Sequence, residues 1–416
     1  MSKIKIKNFG PITKGFLGND GWLDIHKVTI FIGNQGSGKS TIAKLISTFL
    51  WIEKALVRGD FDKKYFKSKN IFKNQYLNYH RLESYLKSKS SGKTIIEFEG
   101  DAYCISYKDG SFEIFENNKI SNYPLPQIMY VPAERNFISY VKTPKELKLS
   151  SDSLKEFLTE YDNAKENLKG LKKLPINNTN VEYDKTNDTL DLKGNNYKVN
   201  ISDASSGFQS LVPLYLVSDY LASSVRKQSS QKKDQMSSDE RSRFKEESNE
   251  ILINRDLTME QKRIAISVLS SKFNKSSFIN IVEEPEQNLF PTSQWELLKS
   301  LLKFNNYNNS NRLIMTTHSP YIVNYMSIVI QADNLWKSTH NSFDKENLRK
   351  KIKKVIPKES LVTGDDVAIY ELDESDGSIT MIDSFEGIPV ENNYLNNMLV
   401  EGNNLFDELL EIEEEL

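Results

Sequence analysis

The chain has 416 residues, 38% hydrophobic and 27% charged, which supplies a packed core for one large domain or two to three ordinary ones. No stretch approaches the roughly 18 apolar residues of a membrane helix, the single cysteine, Cys104, excludes an internal disulfide or a multi-thiolate zinc site, and four scattered histidines argue against a His-rich metal centre. The net charge of −2 conceals an asymmetry: Glu359–Leu416 holds 17 acidic residues and no Lys or Arg, leaving all 55 basic residues against 40 acidic ones in the first 358, a net of +15.

A basic body with an acidic end fits two kinds of partner, one anionic and one not, or a solubilising tail. The opening MSKIKIKNFG alternates Lys with apolar residues and has no apolar run of signal-peptide type, so a cytoplasmic, non-membrane protein is expected. Ile4, Ile6 and Phe9 predict a first strand and His26–Ile32 a second, ending at Gly33. Apolar residues at helical spacing predict a helix from Ser40 to about Val57. Residues 54–93 form an insertion of different character, with 11 basic and three acidic residues among many aromatics. Strands are predicted at Thr94–Phe98, Tyr103–Tyr107 and Ser111–Phe115, the last two joined by a Lys-Asp-Gly hairpin turn, and at Ile128–Val131. Residues 150–175 read as a Lys-rich helix, Val181–Val199 as a hairpin and Phe208–Val225 as a helix. The polar run 226–250 reads as an exposed helix or a partly disordered insertion. Strand Phe278–Val282, helix Ser293–Phe304, strand Arg312–Thr316 and a hairpin over Val367–Asp383 follow.

The strongest motif is Gly33-Asn34-Gln35-Gly36-Ser37-Gly38-Lys39-Ser40, a complete G-x-x-x-x-G-K-[ST] phosphate-binding loop continuing into Thr41. Its glycines let backbone N–H groups turn inward on phosphates, and the helix behind adds its positive end. Lys39 is expected to reach the β- and γ-phosphates, and the Ser40 hydroxyl to bind magnesium. The strand ending at Glu283-Glu284 delivers two acids to its carboxyl end, where ligands bind in open α/β sheets. Glu283 is expected in the Mg2+ shell and Glu284 as general base for water. Asp203–Ser210 is a small polar turn at a helix start, whose Ser205, Ser206 and Gly207 offer amides and hydroxyls to a γ-phosphate. His318, at the tip of the Arg312–Thr316 strand, is placed to sense that phosphate.

These four elements in this order resemble the ATP-binding-cassette superfamily in its non-transporter branch, with the chromosome-maintenance (SMC) and RecF-like ATPases. The pattern Glu-Glu-Pro-Glu-x-x-Leu-x-Pro at Glu283–Pro291, with Thr-Thr-His-Ser-Pro at 316–320, looks most like the overcoming-lysogenization-defect (OLD) type and the ATPases of phage-defence systems such as Septu and PARIS. Tyr130-Val-Pro-Ala-Glu-Arg-Asn136 is similar to a segment of that group. The resemblance implies an α/β ATPase head with a mixed sheet, an antiparallel β subdomain and a helical signature lobe, spanning residues 1–395. It implies ATP and Mg2+ as ligands and a homodimer with ATP sandwiched between chains. One chain would supply the phosphate loop, Glu283, Glu284 and His318, and the other the signature loop Ser205–Gly207. The signature departs from the usual pattern, with Ser206 where a glycine stands and Phe208 in place of a polar residue, which fits a slow switch. Gln127 is the candidate for the glutamine that links the lobes.

OLD proteins continue into a TOPRIM-type nuclease domain, for which too little chain follows the ATPase motifs, so a separate effector protein, a nuclease or toxin, is expected. Residues 396–416 predict an acidic amphipathic helix with a stripe of Leu405, Leu409, Ile412 and Leu416, able to dock on its own body, a sister subunit or a partner. The stretch 54–93 offers Lys for nucleic-acid phosphates and aromatics for bases, or else a small core with a solvated Lys face. The leading expectation is an anti-phage ATPase switch. The alternatives are a RecF/SMC-like DNA-clamping repair ATPase and, with less support from the signature, the motor subunit of a transporter.

Overall fold

In the computed structural model, residues 2–86, 92–117, 123–141, 149, 151–230 and 276–414 are described, with scattered positions between 246 and 269. The strands used below are β1 (Lys3–Lys7), β2 (Gly15–Phe16), β3 (Leu23–Asp24), β4 (Val28–Gly33), β5 (Ile95–Glu99), β6 (Tyr103–Lys108), β7 (Ser111–Glu116), β8 (Pro126–Val131), β9 (Lys172–Lys173), β10 (Asn180–Asp184), β11 (Thr189–Lys193), β12 (Lys198–Asn200), β13 (Ser277–Glu283), β14 (Arg312–Thr316), β15 (Val367–Leu372) and β16 (Ser378–Met381). The helices used below are α1 (Lys39–Arg58), α2 (Lys63–Lys67), α3 (Phe137–Tyr140), α4 (Asp152–Glu166), α5 (Ser206–Ser230), α6 (Pro291–Asn305), α7 (Pro320–Ser338), α8 (Lys345–Val355) and α9 (Tyr394–Glu414).

The fold is α/β, built on a seven-stranded mixed sheet in the order β2-β16-β15-β4-β14-β13-β8. The five strands from β15 to the edge strand β8 run parallel. β4, β8 and β13 are buried along their whole length, as apolar parallel strands covered on both faces should be. Val28, Ile30 and Ile32 of β4 face a core shared with α4, α5, α6 and α7, while Phe31 faces α1. Beyond α1 lies an antiparallel sheet, β3-β1-β5-β6-β7, so α1 is clasped between two sheets and is buried nearly all round. Phe49 of α1 stacks on Phe98 of β5 at 5.6 Å.

The Lys-Asp-Gly hairpin forms as expected, with Asp109 and Gly110 both at positive φ between β6 and β7. The expected helix over 150–175 stops at Glu166, and Lys172–Lys173 is instead an edge strand beyond Gly170. Residues 181–199 exceed a hairpin: β9 to β12 form a four-stranded antiparallel meander, because Asn195-Asn196 allows a second reversal. Helices α7 and α8 fill the region between β14 and β15, for which the sequence analysis predicts no element. In the insertion 54–93, Phe66, Phe72, Tyr76 and Tyr79 are buried, Tyr76 against Trp51 and Phe72 against Phe49 of α1, while Lys64, Lys67, Lys69 and Lys73 are exposed. α5 extends through Ser230; most of the rest of 226–250 lies outside the described residues.

Glu53 joins α1 to the antiparallel sheet. Its Oε1 accepts from the N–H groups of Ala102 (2.7 Å) and Tyr103 (3.0 Å), and Gly100 leaves room for it, since a Cβ there would fall 2.1 Å from that oxygen and push the carboxyl off its two donors. Burial raises the Glu53 carboxyl to about 7, against the pull of those two amides. The folded chain therefore holds this proton more tightly than the unfolded chain, and stability drains away as pH rises from about 4.5 through 7. Glu53→Gln keeps the accepting oxygen and removes the ionisation. Its melting temperature should exceed that of the parent at pH 8 by several degrees, an excess of roughly 1–3 kcal/mol, and match it at pH 5. A difference independent of pH in calorimetry would contradict the buried-carboxyl account.

Candidate functional site

The loop Gly33–Ser40 joins the end of β4 to α1, and its glycines are fixed by geometry. Gly33, Gly36 and Gly38 sit at φ of 138°, 81° and 107°. A Cβ at Gly33 would meet the Leu372 carbonyl at 2.3 Å, and one at Gly38 would meet Ile12 at 2.9 Å. Asn34, Gln35 and Gly36 are exposed at the mouth, Ser37 to Lys39 are buried, Ser40 is half-buried and Thr41 is buried in the first turn of α1. Lys39 Nζ donates to the carbonyls of Gly33 (2.9 Å) and Asn34 (2.7 Å), so the ammonium is held over the loop. Burial lowers Lys39 to about 8, opposed by the field of Glu284, Glu286 and Glu374.

Because β14 separates β4 from β13, the acids at the end of β13 arrive two strands from the loop. Glu283 is buried; its Oε2 accepts from Ala133 N–H at 3.2 Å, and its Oε1 makes no hydrogen bond of good geometry, the buried Tyr130 hydroxyl being the polar group beside the carboxyl. Glu284 leaves the strand at φ 44°, a strained region for a side chain of its size, held by its N–H to Thr316 O at 2.9 Å. Burial and the neighbouring Glu283 raise the Glu284 carboxyl. His318 Nε2 lies 3.9 Å from Glu284 Oε1, and burial together with Lys39 lowers the imidazole, so a neutral ring faces the carboxylate. The structure thus gathers Lys39, Glu283, Glu284 and His318 around one loop.

Two residues essential to this arrangement were not marked as site residues from the sequence. Glu286 Oε1 accepts the His318 N–H at 2.7 Å and so places the histidine loop. Arg135, wholly buried after β8, donates to the carbonyls of Glu283 (2.7 Å), Glu284 (2.6 Å), Ser210 (3.1 Å) and Pro132 (3.3 Å). Glu286 closes the Glu-Pro-Glu pattern and Arg135 sits in the Tyr130–Asn136 phrase, so both lay inside recognised motifs. A third, Glu374, accepts from Asn34 Nδ2 at 2.6 Å and had no sequence signal.

The signature loop takes a different place within the chain. Ser205 precedes α5 and Ser206 and Gly207 open it; a Cβ on Gly207 would meet the Asn288 carbonyl at 2.8 Å. Asn288 Nδ2 also donates to Ser210 Oγ at 3.0 Å, so this helix start packs on the loop that follows the acid pair. Gln127 is a correction: it pairs with Phe278 at the start of β8 and is buried there, whereas the site lies at the other ends of these parallel strands.

The donors fit a magnesium nucleotide. Ser37 Oγ and Glu283 Oε1 are buried polar atoms without a hydrogen bond of good geometry, and the positive φ of Gly33, Gly36 and Gly38 curls the loop into a cradle. No group of three His, Cys, Asp or Glu among the described residues could hold a metal ion by itself. Mg2+ needs none, since it takes most ligands from phosphates and water.

Fold and site together define a phosphate-loop nucleotide-binding protein of α/β architecture. Residues 139–323 match the AAA ATPase domain family. That match spans the signature loop, the acid pair and His318 but begins after Gly33–Ser40, so the loop and the family match support a P-loop ATPase independently. No curated protein matches the chain. Among solved structures, the SMC head domain from Thermotoga maritima is similar at 11% identity and a TM-score of 0.35, covering 92% of this chain and 98% of that one. The Smc head domain with an extended coiled coil, bound to the C-terminal domain of ScpA derived from Pyrococcus furiosus, is 10% identical with a TM-score of 0.34, covering 98% and 100%. The dimeric ATP-binding cassette MJ0796, in a post-hydrolysis state bound to ADP and Pi, is 12% identical with a TM-score of 0.28, covering 92% and 100%. No described helix is long and apolar enough to cross a membrane.

Arg135 positions the acid pair without facing the nucleotide cradle. Arg135→Lys keeps the charge but cannot span four carbonyls, so Glu284 should drift while the loop stays intact. Turnover should fall roughly 100-fold with ATP affinity nearly unchanged, as read from steady-state kinetics beside a binding titration. Unaltered turnover would remove Arg135 from this role.

Proposed function

We infer that the protein binds and hydrolyses ATP with Mg2+ and works as a switch. The observation that carries this reading is the convergence of Lys39, the buried Glu283 carboxyl and the strained, proton-attracting Glu284 on one glycine cradle. Loop amides and Lys39 bind the phosphates, Ser40 and Glu283 hold the magnesium shell, and the ion supplies charge neutralisation when bound. Glu284 accepts a proton from the attacking water, its basicity increased by burial and by Glu283. His318, neutral and fixed by Glu286, contacts the γ-phosphate region as a hydrogen-bonding sensor.

In this reading two chains close head to tail over ATP, with Ser205, Ser206 and Gly207 of one completing the site of the other, and the closed dimer governs a separate effector, a nuclease or toxin, in a cytoplasmic anti-phage system. Support for the defence role comes from the Glu283–Pro291 and Thr316–Pro320 patterns. The second reading, an ATPase that clamps DNA in repair or recombination, is favoured by the exposed Lys64, Lys67, Lys69 and Lys73 above the aromatic core of the insertion.

Lys39→Ala should weaken ATP binding by roughly 100-fold; unchanged affinity would refute the phosphate-loop assignment. Glu284→Gln should retain ATP and lose about 10²–10⁴ in turnover, accumulating an ATP-dependent dimer in sizing experiments. Full turnover in that variant would place the base elsewhere. ATP-dependent, salt-sensitive DNA binding by Glu284→Gln, without an effector, would favour the clamp.

A further inference from the structure

Helix α9 buries only Leu395 of its 21 residues, and from Asn397 to Glu414 every position faces solvent. A helix without a packed face has little to hold it in water. Yet this one carries Leu405, Phe406, Leu409 and Ile412, each between 55 and 62% exposed, on or beside one stripe. Its charge has one sign: Glu401, Asp407, Glu408, Glu411, Glu413 and Glu414 stand against no Lys or Arg, five of them in the last eight positions.

A matching surface lies on α7. Tyr321, Ile328 and Leu335, seven residues apart, are 46, 40 and 48% exposed, while Ile322, Val323, Met326, Val329 and Ile330 face the core. The exposed positions between them, Asn324 and Gln331, are uncharged, so the stripe runs free of charge for about 21 Å. The span from Met398 to Ile412 on α9 has the same length of about 21 Å. At its C-terminal end the α7 stripe meets cations. The Trp336 ring has Arg349 at 4.5 Å, Lys353 at 5.7 Å and Lys358 at 5.6 Å, and α8 adds Lys345, Lys350, Lys351 and Lys354 with no buried residue.

We propose that α9 of one copy docks in parallel along α7 of a second copy, Phe406, Leu409 and Ile412 covering Ile328 and Leu335, with the acidic end of α9 on the basic α8. The same copy does not supply the contact. Tyr394 N–H is tied to Glu371 Oε2 at 2.6 Å, and from that root α9 stands with all its faces in solvent while its own α7 stripe stays uncovered. A second copy satisfies both surfaces with matched length and opposite charge. This contact is separate from the nucleotide-sandwiched dimer and does not need ATP.

The test is light scattering of the full chain carrying Lys39→Ala, without nucleotide, at about 20 µM, a background that removes nucleotide-driven pairing. Two or more chains per particle are expected. Leu409→Asp or Ile328→Asp, both at exposed positions, should each give single chains, and Lys350→Glu with Lys353→Glu should weaken assembly at least tenfold. With Cys104→Ser throughout, mixing a chain bearing Ile328→Cys with one bearing Leu405→Cys, the residues opposite each other when the two spans align, should yield a disulfide-linked pair of the two. A monomeric full chain, assembly indifferent to Leu409→Asp, or a cross-link formed within one chain that carries both cysteines would each overturn the proposal.

Discussion

A guanidinium buried among carbonyl oxygens governs this site. Arg135 cannot be deprotonated to any useful extent even with burial lowering it to about 10, so the interior must surround it with acceptors. It finds them on the carbonyls of Glu283 and Glu284 at the end of β13 and of Ser210 in α5. One side chain thus fixes the backbone carrying both acids and binds it to the first turns of the signature helix. The positive charge also answers the three carboxylates Glu283, Glu284 and Glu286, which crowd the same few residues. Without it, mutual repulsion would favour their protonation, and the strained φ of Glu284 would have less to hold it.

The other half of the site follows from how α1 is held. Its first turn carries Lys39 and Ser40, and its body is gripped by the parallel sheet on one side and the antiparallel sheet on the other. A phosphate loop is only as precise as the helix behind it, since the cradle is made from the helix's own free N–H groups. The Leu372 carbonyl crowds Gly33 and Ile12 crowds Gly38, so the loop is moulded from both flanks, and no side chain can replace either glycine without displacing backbone or core.

Much of this was legible in the sequence because periodicity and turn chemistry act locally. The strand before Gly33, the helix after Ser40, the Lys-Asp-Gly hairpin and the strands carrying Glu283 and preceding His318 each announce themselves within a few residues. What was hidden depends on contacts distant in sequence. Arg135 reads as one more polar residue after a strand until β8 pairs with β13 and carries it under the acids. Gln127 misled for the converse reason: its residue type suited a lobe-linking role, but strand register sets it at the far end of β8. The basic-aromatic stretch 54–93 was ambiguous between base stacking and packing. Composition cannot say which way an aromatic ring turns, and here Phe66, Phe72 and Tyr76 turn inward.

The root of α9 lies close to the phosphate loop. Asn34, at the mouth of the phosphate loop, donates to Glu374 in the turn after β15, and three residues earlier Glu371 holds the first N–H of α9. β15 lies beside β4, with Leu372 opposite Gly33, so the strand that bounds the cradle also anchors the helix. Because Leu372 of β15 crowds Gly33 while Glu371 of the same strand holds Tyr394, the backbone that shapes the cradle is also the backbone on which the acidic helix is rooted.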